Sequence, residues 1–273
     1  MLYSYVDFGL YLFLMYSCRM QIKNSAIIVT GGASGMGAAT ARLLSKQGAK
    51  VALLDLNKEA AEKIANQIHG QAIYCDVTQA ESVESAIALA AEHHGPARAC
   101  INCAGIVHSR RMVNQQGSMP LEEFRRVIEI NLIGTFNVMR IAAAAMIPLT
   151  VQADTEERGV IINTASVAAY EGQIGQTAYS ASKGGIVSIT LPAARELAQF
   201  GIRVMTIAPG LVDTPMFEKI SPEARAALAA SVPFPKRLAR PEEYAHLVQQ
   251  IIENAMLNGE VIRLDGALRM QAK

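Results

Sequence analysis

The chain has 273 residues, 51% of them apolar, with 25 basic and 24 acidic side chains. That length supplies one large core or two small ones, and the balanced charge leaves no basic field for nucleic acid and no charge run for an anionic membrane surface. Four cysteines (Cys18, Cys75, Cys100, Cys103) are too few for a disulfide framework at this size; they point to a reducing compartment, so a cytoplasmic protein is expected, or a mitochondrial-matrix one in a eukaryote.

Residues 1–19 are apolar and aromatic, but they lack a positive leading segment, carry Asp7 and are marginal in length for a membrane span. They are expected to be an extension outside the fold, arising from a misassigned start; an anchor or targeting segment is the alternative. Residues 20–273 are expected to form one domain, since no linker-like stretch divides them.

Ala26-Ile-Ile-Val-Thr30 reads as a buried strand. Gly31-Gly-Ala-Ser-Gly35-Met-Gly37 follows, and then a helical pattern over 36–48. Glycines between a strand and a helix let backbone approach a pyrophosphate at the positive end of the helix dipole. The second strand, 50–55, ends in Asp55. A carboxylate there accepts from both ribose hydroxyls of an adenosine and repels a 2′-phosphate, which favours NAD over NADP. An ordinary strand-end turn residue is the plainer reading of Asp55.

The alternation continues with helices at 58–68, 79–93, 121–147, 177–199 and 241–254, and strands at 71–75, 98–102, 159–164, 202–207 and 260–264. Apolar strands alternating with amphipathic helices predict an α/β fold, a single Rossmann-like doubly wound parallel sheet of about seven strands with helices on both faces. Cys100-Ile-Asn-Cys103 has redox-motif spacing, but two thiols on and just beyond a buried strand is the preferred reading. Polar loop 106–120 and loop 211–235, with a small helix at 222–231, both follow strand ends where open α/β sheets bind ligands. His108 and His246 are read as loop and helix-surface residues. Arg110 and Arg111 are read as a solvated loop in preference to a phosphate clamp.

The chemistry gathers in Ser166, Tyr179 and Lys183. Tyr179 and Lys183 are four apart and share one helix face. A lysine ammonium beside a phenol favours the phenolate, and a tyrosine tuned that way exchanges a proton with an alcohol or carbonyl. Ser166 is placed to donate a hydrogen bond to the same substrate oxygen.

Thr30-Gly31-x-x-x-Gly35-x-Gly37, Asn102-Cys103-Ala104-Gly105, Asn131, Ser166, Tyr179-x-x-x-Lys183 and Pro209-Gly210 together resemble the short-chain dehydrogenases/reductases, from about residue 24 to the end. The resemblance implies a doubly wound fold, NAD(P) dependence and usually a homotetramer, whose interface helices would be those at 121–147 and 177–199. Segments 159–169, 201–211, 232–235, 243–249 and 257–267 are similar to the branch that oxidises short-chain 3-hydroxyacyl-CoA with NAD. Steroids and other secondary alcohols are that branch's secondary substrates.

By that resemblance Tyr179 is the general acid/base and Lys183 lowers its pKa and holds the nicotinamide ribose. Ser166 polarises the substrate oxygen, and Asn131 kinks its helix and holds a relay water. Gly31, Ser34, Gly35, Met36 and Gly37 border the pyrophosphate, Asp55 takes the ribose, and Asp76 and Val77 contact the adenine. Asn102, Cys103, Gly105 and Pro209 line the cofactor, Val212 and Thr214 close over it, and Gln173 faces the substrate. Cys103 stands where the family usually has asparagine. Val212, Phe217 and Glu218, all in loop 211–235, depart from the branch. An NAD-binding assembly subunit, with incidental chemistry, is the alternative of another class.

Overall fold

A computed structural model describes residues 20–153, 155–215 and 220–272. The expectations for residues 1–19, including Cys18, and for Phe217 and Glu218 lie outside them. Seven strands form where the sequence places them: β1 (Ala26–Thr30), β2 (Lys50–Asp55), β3 (Gln71–Tyr74), β4 (Ala99–Asn102), β7 (Gly159–Thr164), β8 (Ile202–Pro209) and β9 (Val261–Leu264). They make one parallel sheet in the order β3-β2-β1-β4-β7-β8-β9.

Side chains alternate across a strand, so each apolar strand feeds two cores. Ile27, Val29, Leu53, Ile101 and Ile162 point to one face. There they meet α1 (Gly35–Lys46), α2 (Lys58–Ile68) and α8 (Pro241–Glu253) through Leu44, Ile64 and Val248. Ile28, Leu54, Cys100 and Ile161 point to the other face. They pack on α3 (Ala80–His94), α5 (Gly134–Met146) and α6 (Thr177–Ala198) through Val83, Val138, Met146 and Ala194.

The strand order reverses between β1 and β4, and the carboxyl ends of these two neighbours open a crevice. Gly31 turns the chain out of β1 at φ +64°, and a Cβ there would stand 2.8 Å from the backbone nitrogen of Ala104. Only glycine permits that crossing.

Three elements differ from expectation. The helix predicted over 121–147 is α4 (Leu121–Ile128) and α5, joined by a π-helical turn, Glu129–Ile133. One extra residue in the turn swings Asn131 into the interior, and a periodicity of 3.6 does not reveal it. A hairpin of β5 (Val113–Asn114) and β6 (Gly117–Ser118) stands in loop 106–120. Its strands are too short for a readable alternation. β8 also runs on to Pro209, to the cavity edge. The helix α7 (Pro222–Ser231) forms as read, with Ser221 Oγ accepting from Ala224 N at 3.2 Å. At the opposite, amino edge of the sheet, buried Glu157 and Arg203 pair at 2.6 Å.

Candidate active site

Two cavities meet at the crevice. The first borders the glycine loop and contains Gly31, Ser34, Gly35, Met36, Gly37, Asp55, Val77, Cys103, Gly105 and Thr214 in its walls. Gly37 must be glycine, since a Cβ there would sit 2.2 Å from the carbonyl oxygen of Gly31. The close-packed turn leaves the first N–H groups of α1 facing the cavity, and the Ser34 side chain makes no cap to them. Free donors at a helix N-terminus suit a pyrophosphate. Asp55 is fixed by two backbone donors, Ala33 N at 3.0 Å and Asn57 N at 2.9 Å. A dinucleotide fits these residues: a glycine cradle at one end and a held carboxylate at the ribose position.

The second cavity encloses about 340 Å³ and is lined by Gly105, Ser166, Gln173, Tyr179, Lys183, Pro209, Val212 and Thr214. Ser166 leaves β7 in an extended conformation and caps a 3₁₀ turn, its Oγ accepting from Ala168 N at 3.1 Å. Tyr179 and Lys183 lie one turn apart on α6, and Tyr179 and Ser166 share the cavity wall. Lys183, only 5% exposed, donates to the carbonyl of Thr164 at 2.7 Å, and its Nζ stands 5.8 Å from the Tyr179 ring centroid.

Electrostatics here differ from the simple expectation. Burial pushes the Tyr179 phenol above its ordinary value, against the hydrogen bond with Ser166. Burial likewise brings the Lys183 ammonium down to about 8, with Cys103 opposing. Desolvation disfavours both charged forms; it holds the phenol above its ordinary value, and the group that opposes it is Ser166, not Lys183 as expected.

Asn131 is completely buried, and both ends of its amide are hydrogen-bonded. Oδ1 accepts from Ile106 N at 2.8 Å, and Nδ2 donates to Ile106 O at 2.9 Å and to Ser182 Oγ at 3.1 Å. It therefore clamps the chain beyond β4 to α6 and leaves one lone pair of Oδ1 for a further donor.

Two predicted cofactor residues fall outside the cavity walls. Asn102 lies beneath the floor, where its Nδ2 bonds Asn163 Oδ1 at 2.8 Å across β4 and β7. Asp76 turns its Oδ1 to Thr78, accepting from the backbone N at 3.0 Å and from the hydroxyl at 2.7 Å. The two thiols are separate: Cys100 is buried in β4, whereas Cys103 Sγ lies 3.6 Å from the Tyr244 hydroxyl. His108 and Arg110 both pair with Glu123, so Arg110 is not a free phosphate ligand. His246 lies exposed on α8.

Sequence reasoning missed Thr164, Tyr244, Arg126, Leu228 and Met270. Thr164 holds Lys183 through a main-chain carbonyl, which every residue type possesses. Its hydroxyl contacts the Tyr244 hydroxyl at 2.8 Å, so α8 braces the lysine from behind. Arg126 borders the first cavity, and Leu228 and Met270 the second.

Residues 25–225 match the short chain dehydrogenase family. The chain belongs to that family. The 3-hydroxyacyl-CoA dehydrogenase type-2 of Bos taurus is 53% identical over 259 residues, covering 93% of this chain and 98% of that protein. The Drosophila melanogaster protein of that name is 50% identical over 253 residues, covering 91% and 99%. Among solved structures, the Mycobacterium avium 3-hydroxyacyl-CoA dehydrogenase type-2 superposes with a TM-score of 0.86 at 42% identity, over 91% of this chain and 97% of that one. The Brucella melitensis 3-ketoacyl-(acyl-carrier-protein) reductase, solved in complex with NADH, reaches 0.82 at 29% identity, over 91% and 100%. As a short chain dehydrogenase the protein is an oxidoreductase acting on a small-molecule substrate.

Proposed function

We propose that this short chain dehydrogenase interconverts the 3-hydroxyl and 3-keto forms of short-chain acyl-CoA with NAD. The observation that carries the reading is that Ser166, Tyr179 and Lys183 line one cavity at the inner end of a crevice that holds Asp55 at its other end. The names of relatives at 50–53% identity supply the substrate class, and NADH in the Brucella reductase supports the cofactor.

NAD, when bound, accepts or returns a hydride at its nicotinamide. The protein's own part is proton transfer and orientation. Ser166 and Tyr179 hold the substrate oxygen between two hydroxyls. Burial keeps the Tyr179 phenol protonated at neutral pH, ready to give its proton to a ketone oxygen. In the oxidative direction the phenol must first release that proton, so oxidation is favoured as pH rises. Lys183, held by the Thr164 carbonyl, places its ammonium at the inner wall beside the pair. Asn131 holds the β4 end against α6 so that this wall keeps its shape.

Ile133, Phe136, Ile147 and Leu191 leave an exposed apolar surface on α5, α6 and their flanks. Such a surface suits burial by another copy, and we read the protein as a homotetramer.

The test is initial-rate NADH oxidation with acetoacetyl-CoA against a non-thioester ketone and a steroid ketone. A higher kcat/KM for acetoacetyl-CoA is expected; no advantage ends the acyl-CoA assignment. Equal rates with NADPH would remove Asp55 as the cofactor selector.

A further inference from the structure

The loop that follows Ser166 and leads to Tyr179 is fastened to the carboxyl end of the chain. Gln173 Nε2 donates to the carbonyl of Gln271 at 3.1 Å, and Ile174 N donates to the carbonyl of Ala272 at 3.0 Å. Four charges lie beneath this contact. Arg263, in β9, grips Glu171 with two parallel hydrogen bonds of 2.7 and 2.8 Å. Its Nε bonds Asp265 at 2.7 Å, and Arg269 bonds Asp265 at 3.2 Å and lies 3.5 Å from Glu171. Two carboxylates and two guanidiniums close a neutral ring, with a bidentate pair as its strongest side. An isolated surface pair would hold little, but a connected set with a forked guanidinium fixes geometry.

The ring has a direct effect on one side chain. Both guanidiniums of the ring donate to the carbonyl of Leu268, Arg263 at 2.9 Å and Arg269 at 2.7 Å, and Leu268, 2% exposed, plugs the fold two residues before Met270. Met270 is thereby held where it forms part of the catalytic cavity wall, together with Gln173 and Leu228. The substrate walls expected from the sequence are loops 106–120 and 211–235. The carboxyl-terminal segment supplies part of the wall as well.

We propose that Met270, locked over the catalytic cavity by the Glu171–Arg263–Asp265–Arg269 ring, limits the length of the carbon chain that the reacting carbonyl can carry. Glu171 is a positioning residue in this arrangement, acting through Met270. The proposal rests on the carbonyl/hydroxyl reaction proposed above and does not require the thioester. A thioether side chain adapts its shape but keeps its bulk, so shortening it opens room for about two methylenes. Each newly buried methylene is worth about fourfold in kcat/KM, or about fifteenfold for two.

The experiment measures kcat/KM with NADH for two straight-chain series, 3-ketoacyl-CoA thioesters and 2-alkanones, in wild type, Met270→Ala, Met270→Phe and Glu171→Gln. Met270→Ala is expected to raise the long-to-short ratio about fifteenfold, and Met270→Phe to lower it. Glu171→Gln, which keeps side-chain size, should move the ratio in the same direction as alanine, and the double variant should add little more. A merely structural role for Glu171 would lower all rates together and leave the ratio in place. If wild type ignores the thioesters but reduces the alkanones, the acyl-CoA reading fails and the alkanone series still decides this one. Ratios that superimpose on wild type for both Met270 variants overturn the proposal.

Discussion

Replacing Lys183 with methionine should make the protein more stable while nearly abolishing turnover. The lysine is 5% exposed, and burial lowers it from an ordinary 10.5 to about 8. At about 1.4 kcal/mol per pH unit, keeping this ammonium charged at pH 7 costs about 3 kcal/mol. Methionine removes that cost, fills most of the same volume and loses one hydrogen bond to the Thr164 carbonyl, worth about 1 kcal/mol. The variant should therefore gain about 2 kcal/mol at pH 7, a stability–activity trade located in one side chain. The sign with pH follows from proton binding. The folded lysine releases its proton near 8, whereas the unfolded chain holds it to about 10.5. The unfolded state then binds more protons, so wild type gains stability from pH 8 upward and methionine does not. By pH 9.5 about 2 kcal/mol of the difference should have vanished. Urea unfolding at pH 7 and 9.5, at one protein concentration, measures both values, and NADH-linked ketone reduction measures turnover. A variant less stable than wild type at pH 7, with a difference that does not change with pH, would refute the reasoning.

Removing the Tyr179 hydroxyl with Tyr179→Phe should lower kcat by roughly 10²–10⁴ while fluorescence titration shows NADH still binding; unimpaired turnover would remove Tyr179 as the general acid/base. Gly37→Ala places a Cβ 2.2 Å from the Gly31 carbonyl, so NADH binding by the same titration should be lost. In the reductive direction kcat should fall as pH climbs toward the raised Tyr179 value, and in the oxidative direction it should increase over the same range; two parallel profiles would contradict the proton role of the phenol. Glu157→Gln leaves the Arg203 charge buried without its counter-ion and should cost about 3–5 kcal/mol, seen as a lowered thermal midpoint.

Much of this architecture is legible along the chain because it is written in local pattern. β1, β2 and β7 fall on their predicted limits since each is a continuous apolar run covered on both faces. The glycine turn is legible because only glycine satisfies its backbone, and Tyr179 and Lys183 because four residues make one helical turn. The hairpin at Val113–Ser118 and the π turn at Asn131 are not legible, since neither imposes a period long enough to read.

What the sequence by itself determined was the order of strands and helices, the cofactor turn and the three hydroxyl and amine groups of the reaction. What only the tertiary structure decided was their surroundings. Thr164 comes to hold Lys183 through a carbonyl, and Asn131 to join Ile106 to Ser182. Asn102 goes beneath the cavity floor, while Met270 swings onto the cavity wall. Those relations join residues far apart in the chain, through main-chain atoms common to all residue types and through desolvation that exists only after the core closes.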